Sequence, residues 1–381
     1  MTPPLPRAVH PGAWWLWAIA LAVGVSATTN PLLLLLAISV VTFVVVSRRP
    51  STPWARAFRL YVWLGVLVVV LRLVLHVLLG LKWGETVLLE LPSATLPSWA
   101  AGIDLLGTVR LEGLLAAGLE GLRLATMILC VGAANALANP KRLLAALPGA
   151  LHEIGAAVVV AITVAPQLAE SVQRVLRARR LRGDAGRGLR AFRRVAMPVL
   201  QDTLDRSLML ASAMDSRGYG RRGDVPLRHR RLVSGVTLAS LLAICLGVYG
   251  LLDTRSPAWI GTPMLVGGIG LGALGLRLGS AAVHRTVYRP DPWRGAEWLV
   301  LACGVAGAAG VLAAQELDPL GLSLPLQPLG APALPWTAAL GLLVAALPGV
   351  LTPLPPVTRA SAARRASGAP ARAVATPQES A

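Results

Sequence analysis

Two arginine–glycine pairs stand at the ends of two consecutive stretches with helical patterning. They are Leu181-Arg182-Gly183 and Ser216-Arg217-Gly218, and the two arginines are 35 residues apart. A glycine in the left-handed conformation commonly ends a helix, and a guanidinium offers a planar set of donors that suits carboxylates and backbone carbonyls. We therefore predict two long helices, each ending in an arginine that can bind an acidic or carbonyl-lined groove on another protein.

The stretches that carry these pairs are basic and amphipathic. Each is expected to begin near a proline, Pro166 for the first and Pro198 for the second. Residues 174–231 hold 16 arginines and 5 aspartates, a formal net charge of +11. In the second stretch, apolar residues recur at three- and four-residue steps, which predicts one apolar stripe that packs on a neighbouring helix or on a second membrane subunit. The stripe consists of Phe192, Val195, Val199, Leu200, Leu204, Leu208 and Ala211.

The overall composition is that of a membrane protein. The chain has 381 residues, of which 55% are hydrophobic and 14% charged, whereas soluble domains contain about 25% charged residues. The formal net charge of +18 would suggest nucleic-acid binding in a soluble protein. In a membrane protein it is explained by the excess of arginine and lysine in cytoplasmic loops, so we expect membrane lipid and no nucleic acid among the partners.

Eight apolar runs are predicted to cross the membrane. In the first run, three tryptophans (Trp14, Trp15 and Trp17) are expected to form an interfacial belt. Arg72 and His76 fall within the third run, where charge is costly, so they should face protein or reach toward the interface. Two glycine triplets should permit close helix packing: Gly268, Gly272 and Gly275, then Gly304, Gly307 and Gly310. The predicted spans are 14–27, 32–46, 60–80, 112–137, 232–252, 263–282, 297–314 and 335–350.

The distribution of arginines predicts the topology. If the loop at 48–59 is cytoplasmic, every other arginine-rich connection and both termini also fall in the cytoplasm, as the charge rule requires. We therefore expect an all-α, polytopic plasma-membrane protein of about eight spans with two long amphipathic cytoplasmic helices. The predicted regions are 1–140 (N-terminal spans), 141–231 (the two cytoplasmic helices), 232–357 (C-terminal spans) and 358–381 (a disordered basic tail).

No motif for catalysis, metal binding or cofactor binding is found. The sequence has neither a phosphate-binding GxxxxGK[ST] loop nor an HExxH pair, and the acidic residues of the central segment stand among arginines, where solvated ion pairs are expected. We therefore predict no catalytic residue and no cofactor. A membrane body with two arginine-tipped helices suggests that a partner supplies the energy, and two tips would suit a dimeric ATPase.

These motifs resemble the transmembrane T component of energy-coupling factor transporters, the CbiQ/EcfT family. The resemblance rests on RARRLRG at 177–183 and AMDSRGYG at 213–220, and it is strongest over residues 120–225. Further similar segments are NPKRLL at 139–144, Asn30-Pro31, and YRPDPW at 288–293. The residue before Arg182 is leucine where the family usually has alanine, and the C-terminal spans are more numerous than in many members.

The resemblance implies both partners and a mechanism. Arg182 and Arg217, each with its flanking residues, would dock on two ABC-type ATPases, and Arg179, Arg180 and Arg221 are secondary docking candidates. A separate small membrane protein, the S component, would capture a vitamin or a transition metal ion. The present chain would transmit ATPase motion to that component without hydrolysing ATP itself.

Two other classes of function stay open from the residues alone. One is a self-contained membrane carrier or a membrane enzyme whose basic helices bind phosphate groups or anionic lipid. The other is a generic ABC permease that carries substrate through its own spans. The solute is not specified, and cobalt, nickel, biotin and thiamine all remain possible under the first interpretation.

Overall fold

The computed structural model describes residues 7–50, 58–79, 83–92, 94–95, 104–146, 149–181, 189–218, 226–253, 257, 260–281 and 291–355. Helices dominate these residues, as predicted for an all-α membrane protein. The tail at 358–381 lies outside them. In chain order the helices are α1 Pro11–Ser26, α2 Pro31–Arg48, α3 Phe58–Leu79, α4 Leu111–Leu137, α5 Pro140–Ala145, α6 His152–Leu181, α7 Leu189–Ser216, α8 Leu227–Leu252, α9 Thr262–Ala281, α10 Gly295–Leu317, α11 Trp336–Val344 and α12 Pro348–Leu351.

Four short strands occupy the connection between α3 and α4. β1 (Val87–Glu90) pairs antiparallel with β4 (Thr108–Arg110), and β2 (Ala94–Thr95) pairs antiparallel with β3 (Asp104–Leu105). In the first ribbon Glu90 lies opposite Thr108. The ribbon leads directly into α4, so it brings the ends of α3 and α4 close together.

Seven of the described helices are long and apolar enough to cross a membrane: α2, α3, α4, the segment Ile154–Leu181 of α6, α8, α9 and α10. Two of the eight predicted spans are not among these seven helices. α1 covers most of the first predicted span but has only 16 residues. The last span is interrupted, because α11 ends at Val344 and α12 begins only at Pro348. The helix α6 is longer than the stretch predicted to begin near Pro166. Its apolar first half continues without a break into the basic half, forming one helix of 30 residues.

By contacts the described chain separates into two compact units. The first contains residues up to 143 together with those from 291 onward, and the second contains residues 144–290. In the first unit, α10 packs against α1 and α11, while α4 packs against α1, α2 and α3. The second unit contains α6 to α9, in which α8 pairs with α9 and α6 with α7.

Glycines on α10 allow the close packing of the first unit. A Cβ atom added at Gly304 would lie 2.7 Å from the Cα of Trp17, and one added at Gly310 would lie 2.7 Å from the carbonyl oxygen of Thr337. The predicted role of the Gly304, Gly307 and Gly310 triplet is therefore confirmed. The predicted tryptophan belt is wrong for Trp14 and Trp17, which are 4% and 0% exposed. Trp17 is inside the helix bundle, and its Nε1 donates to the carbonyl oxygen of Ala345 at 3.1 Å.

The turn between α1 and α2 is bonded to the segment that follows α10. Asn30 caps α2 by accepting from the amide of Leu32 at 2.9 Å. Its side-chain amide is fully buried and donates to the carbonyl oxygens of Gly321 (2.6 Å) and Ala333 (2.5 Å). The hydroxyl of Thr28 donates to the carbonyl oxygen of Leu322 at 2.7 Å. The Asn30-Pro31 motif therefore anchors the C-terminal helices to the N-terminal ones.

The α3–α4 pair holds the two polar residues expected in the third span. Arg72 of α3 forms an ion pair with Glu120 of α4, and Gly113 of α4 lies against the ring of His76. Both residues therefore contact α4, as one of the two predicted arrangements requires, although Arg72 remains exposed. Glycines on α4 again permit the approach, because a Cβ atom at Gly121 would lie 3.2 Å from the Cα of Val69.

In the second unit, α8 and α9 pack through the other glycine triplet. A Cβ atom at Gly268 would lie 2.8 Å from side-chain and backbone atoms of Ile244, and one at Gly272 would lie 2.8 Å from the hydroxyl of Ser240. That hydroxyl donates to the carbonyl oxygen of Gly268 at 2.8 Å and is buried. The predicted packing role of Gly268, Gly272 and Gly275 is therefore confirmed as well.

Candidate functional site: the ends of two long helices

The helix α6 changes character along its length. Its first half exposes apolar side chains such as Ile154, at 61%, and Ile162, at 40%. Its second half carries four arginines at positions 174, 177, 179 and 180. The helix thus joins an apolar half of membrane-compatible composition to a basic half that ends at Leu181.

The two prolines do not begin the helices, contrary to the prediction. Pro166 lies inside α6 and Pro198 inside α7, which begin 14 and 9 residues earlier, at His152 and Leu189. An interior proline removes one backbone hydrogen bond and bends a helix without necessarily ending it. The apolar run before Pro166 and the regular apolar spacing on both sides of Pro198 favour helix before and after each proline. Both helices therefore continue through their proline.

A hydrogen bond between two side chains joins α6 to α7. The hydroxyl of Ser171, which is 4% exposed, donates to Oδ2 of Asp202 at 2.7 Å. Nε of Arg206, one turn further along α7, donates to the other carboxylate oxygen at 3.1 Å. These two hydrogen bonds, first that from Ser171, hold the pKa of Asp202 below its usual value. The carboxylate therefore stays ionised over the neutral pH range and fixes the two helices to one another.

The apolar stripe of α7 is mostly unpacked in the chain. Val199, which packs near this junction, is 6% exposed. By contrast, Leu200, Leu204 and Leu208 are 55%, 60% and 68% exposed, and the side chain of Phe192 lies outside the described residues. The stripe is thus buried at Val199 but not at the three leucines. Packing of those leucines on another subunit stays a prediction.

The end of α7 has the geometry expected for the second arginine–glycine pair. The helix ends at Ser216, and Gly218 follows with φ of +77°, its amide donating to the carbonyl oxygen of Asp215 at 2.9 Å. A Cβ atom at Gly218 would meet no atom within 4 Å, so the glycine is needed for its backbone conformation. Arg217 is exposed, and no hydrogen bond or ion pair joins its side chain to another described residue.

The first arginine–glycine pair is only partly described. Leu181, the last residue of α6, is 89% exposed, Arg180 is exposed and Arg179 is half-buried. Arg182 and Gly183 lie outside the described residues, as does Arg221. Of the predicted docking residues, the structure therefore places Leu181, Arg179 and Arg180 at the end of α6, and Ser216, Arg217 and Gly218 at the end of α7.

A family model matches residues 5–227 of the chain, and its description is CbiQ, cobalt transport protein. The chain belongs to the CbiQ cobalt transport family. The match covers more than half of the chain and includes both arginine–glycine helix ends. No curated protein sequence matches the chain. Family membership and the apolar helices together identify a multi-pass membrane protein that is a transport component.

The match to the CbiQ family ends just inside α8, so α9 to α12 lie beyond it. Two segments that resemble the family, NPKRLL at 139–144 and YRPDPW at 288–293, lie on opposite sides of the end of this match. They contact each other within the first unit. Arg142, in the matched part, forms an ion pair with Asp291, and its guanidinium also donates to the carbonyl oxygens of Ala8 and Val9 at 3.3–3.4 Å. The helices α10 to α12 are therefore an integral part of the unit that contains the N-terminal family helices.

Glu297 is a key residue of this junction that sequence reasoning missed. Its side chain is 0% exposed and accepts from Nη2 of Arg7 at 2.9 Å. It also accepts from the amide of His10 at 3.1 Å and from the amide of Arg294 at 3.0 Å. An acid at the third position of a helix is a common capping signal, but nothing in the sequence indicated that Arg7, 290 positions earlier, would share it.

Within the described ranges, no group of three or more histidine, cysteine, aspartate or glutamate side chains is arranged to hold a metal ion. The prediction that the chain needs no cofactor of its own is neither supported nor opposed by this observation.

Proposed function

We propose that this chain is the membrane-embedded coupling subunit of an ATP-driven importer of the energy-coupling factor type. Two ABC-type ATPases dock on the ends of α6 and α7, and a small membrane S component binds the solute. The chain transmits the movement of the ATPases to the S component and hydrolyses no ATP itself. Membership of the CbiQ family supports a transport role, and the ends of the two helices supply the docking surface.

The proposal rests on the position and the exposure of Arg217. It sits at the exposed tip of a helix of 28 residues, beside a glycine whose positive φ ends that helix. No hydrogen bond or ion pair joins its guanidinium to a described residue, and it can therefore donate to a carboxylate or to helix-end carbonyls of an ATPase. Such charge-assisted hydrogen bonds are roughly twice as strong as neutral ones.

The same helices supply a rigid path for movement. α6 and α7 are joined by the Ser171–Asp202 hydrogen bond and by the packing around Val199. A displacement applied at Arg217 is therefore passed to α6, whose first half is apolar and largely exposed. The exposed leucines of α7 offer a surface through which the S component can be moved.

The solute that we propose is a transition metal ion or a vitamin, with the divalent cobalt ion favoured by the description of the family. The S component would select the solute. The proposed orientation places both termini and the two helix ends in the cytoplasm, because the arginine-rich connections then share one side of the membrane.

The first test is the composition of the complex purified from native membranes through a tag on this chain. We expect mass spectrometry to find two cassette ATPases and a small membrane protein with the wild type. Arg217→Glu, and more strongly the Arg182→Glu/Arg217→Glu double variant, should lose the ATPases by about tenfold or more, since charge reversal removes the hydrogen bonds and adds repulsion.

A matched control is available on the same helix. Arg193 is an exposed arginine near the opposite end of α7, so Arg193→Glu makes the same charge change away from the tip and should retain the ATPases. Normal recovery of both ATPases with the double variant would refute the docking assignment. Recovery of the wild-type chain without any ATPase would refute the proposed function and favour a self-contained carrier or a membrane enzyme.

A further inference from the structure

An arginine on α4 has no partner among the described residues. Arg123 is half-buried, and no hydrogen bond or ion pair joins its guanidinium to another residue in the described part of the chain. Glu120, one turn away on the same helix, is already engaged by Arg72 of α3. These three groups together carry one excess positive charge. The guanidinium of Arg123 is therefore available to an anionic group from outside the chain.

Arg123 lies level with the turn that joins α1 and α2. The helices α1 and α4 are antiparallel, because Arg142, just beyond the end of α4, donates to the carbonyl oxygens of Ala8 and Val9, just before α1. Ser26 is the last residue of α1 and lies 15 residues from its start. Arg123 lies 14 residues from the end of α4. At about 1.5 Å per residue, both are roughly 21–23 Å from the same end of the helix pair.

This level is close to one face of the membrane. The ion pair of Arg142 with Asp291 marks the opposite face, and the hydrocarbon core is about 30 Å thick. Roughly 9 Å therefore separates the backbone of Arg123 from the nearer headgroup layer. Side chains lean toward the N-terminus of their helix, which for α4 is the direction of this layer, and a long arginine side chain reaches such an interface. The Arg72–Glu120 pair lies at the same level, and its side chains are 47% and 43% exposed, as expected near headgroups.

A narrow groove between α1 and α4 begins one helical turn from Arg123. It encloses about 180 Å³, and its walls are almost entirely apolar. The wall on α1 extends from Trp15 to Ser26, roughly 16 Å along the helix, and the wall on α4 is formed by Met127 and Val131. Residues four positions apart lie on one face of a helix. Arg123 therefore continues the line of Met127 and Val131 toward the headgroup layer.

We propose that this groove binds an anionic phospholipid. One acyl chain lies in the groove, and the phosphate accepts charge-assisted hydrogen bonds from the guanidinium of Arg123. The rim residues Ile19, Val23 and Val131 are 51%, 50% and 42% exposed, so the chain can enter directly from the bilayer. A headgroup with a net negative charge is favoured, because it neutralises the excess positive charge at this level. The site goes beyond the proposed function, since it requires neither an ATPase nor an S component.

The two parts of the site distinguish this occupant from others. Inorganic phosphate can bind the arginine but leaves the groove empty. A zwitterionic phospholipid can fill the groove but brings no net negative charge. A second copy of this chain that meets the first through the same face would bring another Arg123 to the contact, which is the wrong charge. An acyl chain joined to an anionic headgroup satisfies both the groove and the arginine.

The test uses the full-length chain in bilayer discs of phosphatidylcholine. The discs contain a small fraction of phosphatidylglycerol that carries a photoreactive group midway along one acyl chain. After illumination and digestion, mass spectrometry should find the label on the groove residues Ile19, Val23, Met127 and Val131. Unlabelled phosphatidylglycerol should compete for the site at least about fivefold better than unlabelled phosphatidylcholine, because its headgroup carries no positive charge to be repelled by the arginine.

Substitutions separate the two parts of the site. Arg123→Leu removes the contact with the phosphate and should lower the labelling by about tenfold, whereas Arg123→Lys keeps the charge and should retain most of it. Ala22 lines the groove and is half-buried, so Ala22→Phe fills the groove and should abolish the labelling while Arg123 is intact. Arg277→Leu is the matched control, because it removes an exposed arginine of α9 and should leave the labelling unchanged.

Four results would overturn the inference. Equal labelling of the groove and of the exposed Leu67 and Leu71 of α3 would show only general contact with lipid. Unchanged labelling with Arg123→Leu, or equal competition by the two unlabelled lipids, would exclude a role for the headgroup. Unchanged labelling with Ala22→Phe would exclude the groove. Loss of the label in the complete complex from native membranes would identify a helix of another protein as the occupant. Recovery of the ATPases plays no part in these results and tests the proposed function separately.

Discussion

The two units of this chain differ in how far they bury their own side chains. In the first unit, large residues such as Trp17, Leu33 and Val300 are fully buried, and the carboxylate of Glu297 is enclosed by three donors. In the second unit, the described helices bury mainly small residues, such as Ser240 and Ala243. The first unit is stabilised largely by its own contacts, whereas the second leaves long helix faces for lipid or for other subunits.

The difference is clearest at α7. α8 and α9 are apolar enough to face lipid, but α7 is not among the candidate spans. Its leucines at positions 200, 204 and 208 are nevertheless more than half exposed. A helix that exposes both an apolar stripe and an unpaired terminal arginine has the surface of a docking element. Under the proposed function, the first unit would act as the scaffold and the second would contact the partners, and the following substitutions test this difference.

The largest effect is expected at Glu297. Glu297→Ala would leave the guanidinium of Arg7 and the amides of His10 and Arg294 without their acceptor. Removing one member of a buried ion pair typically costs about 3–5 kcal/mol, and we expect about 3 kcal/mol here because Arg7 is partly exposed. Chemical denaturation of the detergent-solubilised protein measures this loss of unfolding free energy.

Glu316 provides the control for that experiment. It lies on the same helix as Glu297 and is exposed, so Glu316→Ala should change stability by less than about 0.5 kcal/mol. Equal, small effects of the two substitutions would show that the first unit does not depend on the Glu297 junction.

A second pair of substitutions compares the buried core of the first unit with the exposed apolar face of α7. Leu33→Ala removes a fully buried side chain from the first unit and should lower the unfolding free energy by about 2–4 kcal/mol. Leu204→Ala removes a side chain that is 60% exposed and should change it by less than about 0.5 kcal/mol. Denaturation of both variants measures these values. A large loss with Leu204→Ala would mean that α7 is packed within the chain and is not a free surface.

The smallest effect concerns the protonation of His10 in the first unit. Desolvation by burial, reinforced by Arg142 and Arg7, lowers the pKa of His10 below its ordinary value of 6.5, against the opposing influence of Asp291 and Glu297. Its Nδ1 accepts from the amide of Gly12 at 3.1 Å, which also requires the neutral ring. The folded protein therefore binds this proton less readily than the unfolded chain. The stability that neutral His10 supports is present above pH 6.5 and decreases as the pH falls below that value.

Thermal unfolding between pH 7.5 and 5 measures this dependence. His10→Asn keeps a side-chain oxygen that can cap α1 but cannot titrate, so it should flatten the profile in that window. A profile as steep as that of the wild type would assign the dependence to other groups.

The sequence predicted the membrane helices well where long apolar runs alone decide the outcome. α2, α3, α4, α8, α9 and α10 lie within a few residues of the predicted spans. The glycine triplets and the contact of Arg72 with another helix were also predictable, because close packing and the pairing of charges follow directly from residue type. Of the candidate site, the helix end at Gly218 was predictable from the need for positive φ.

The errors arise where distant parts of the chain decide the outcome. Trp14 and Trp17 have the residue type of an interfacial belt, but α10, almost 300 positions later, covers them. Pro166 has the type of a helix start, but the flanking runs extend the helix through it. The Glu297 junction joins the segment before α1 to the start of α10, and local spacing contains no signal for such a pairing.

The most direct test of the central claim is a photo-crosslinker placed at position 217 in the complete complex. We expect it to label a cassette ATPase, with a yield that changes when ATP is bound, whereas a crosslinker at position 193, at the opposite end of α7, should label none. Labelling of lipid alone at position 217, in a preparation that contains both ATPases, would contradict the claim that this helix end is where the ATPases drive the transporter.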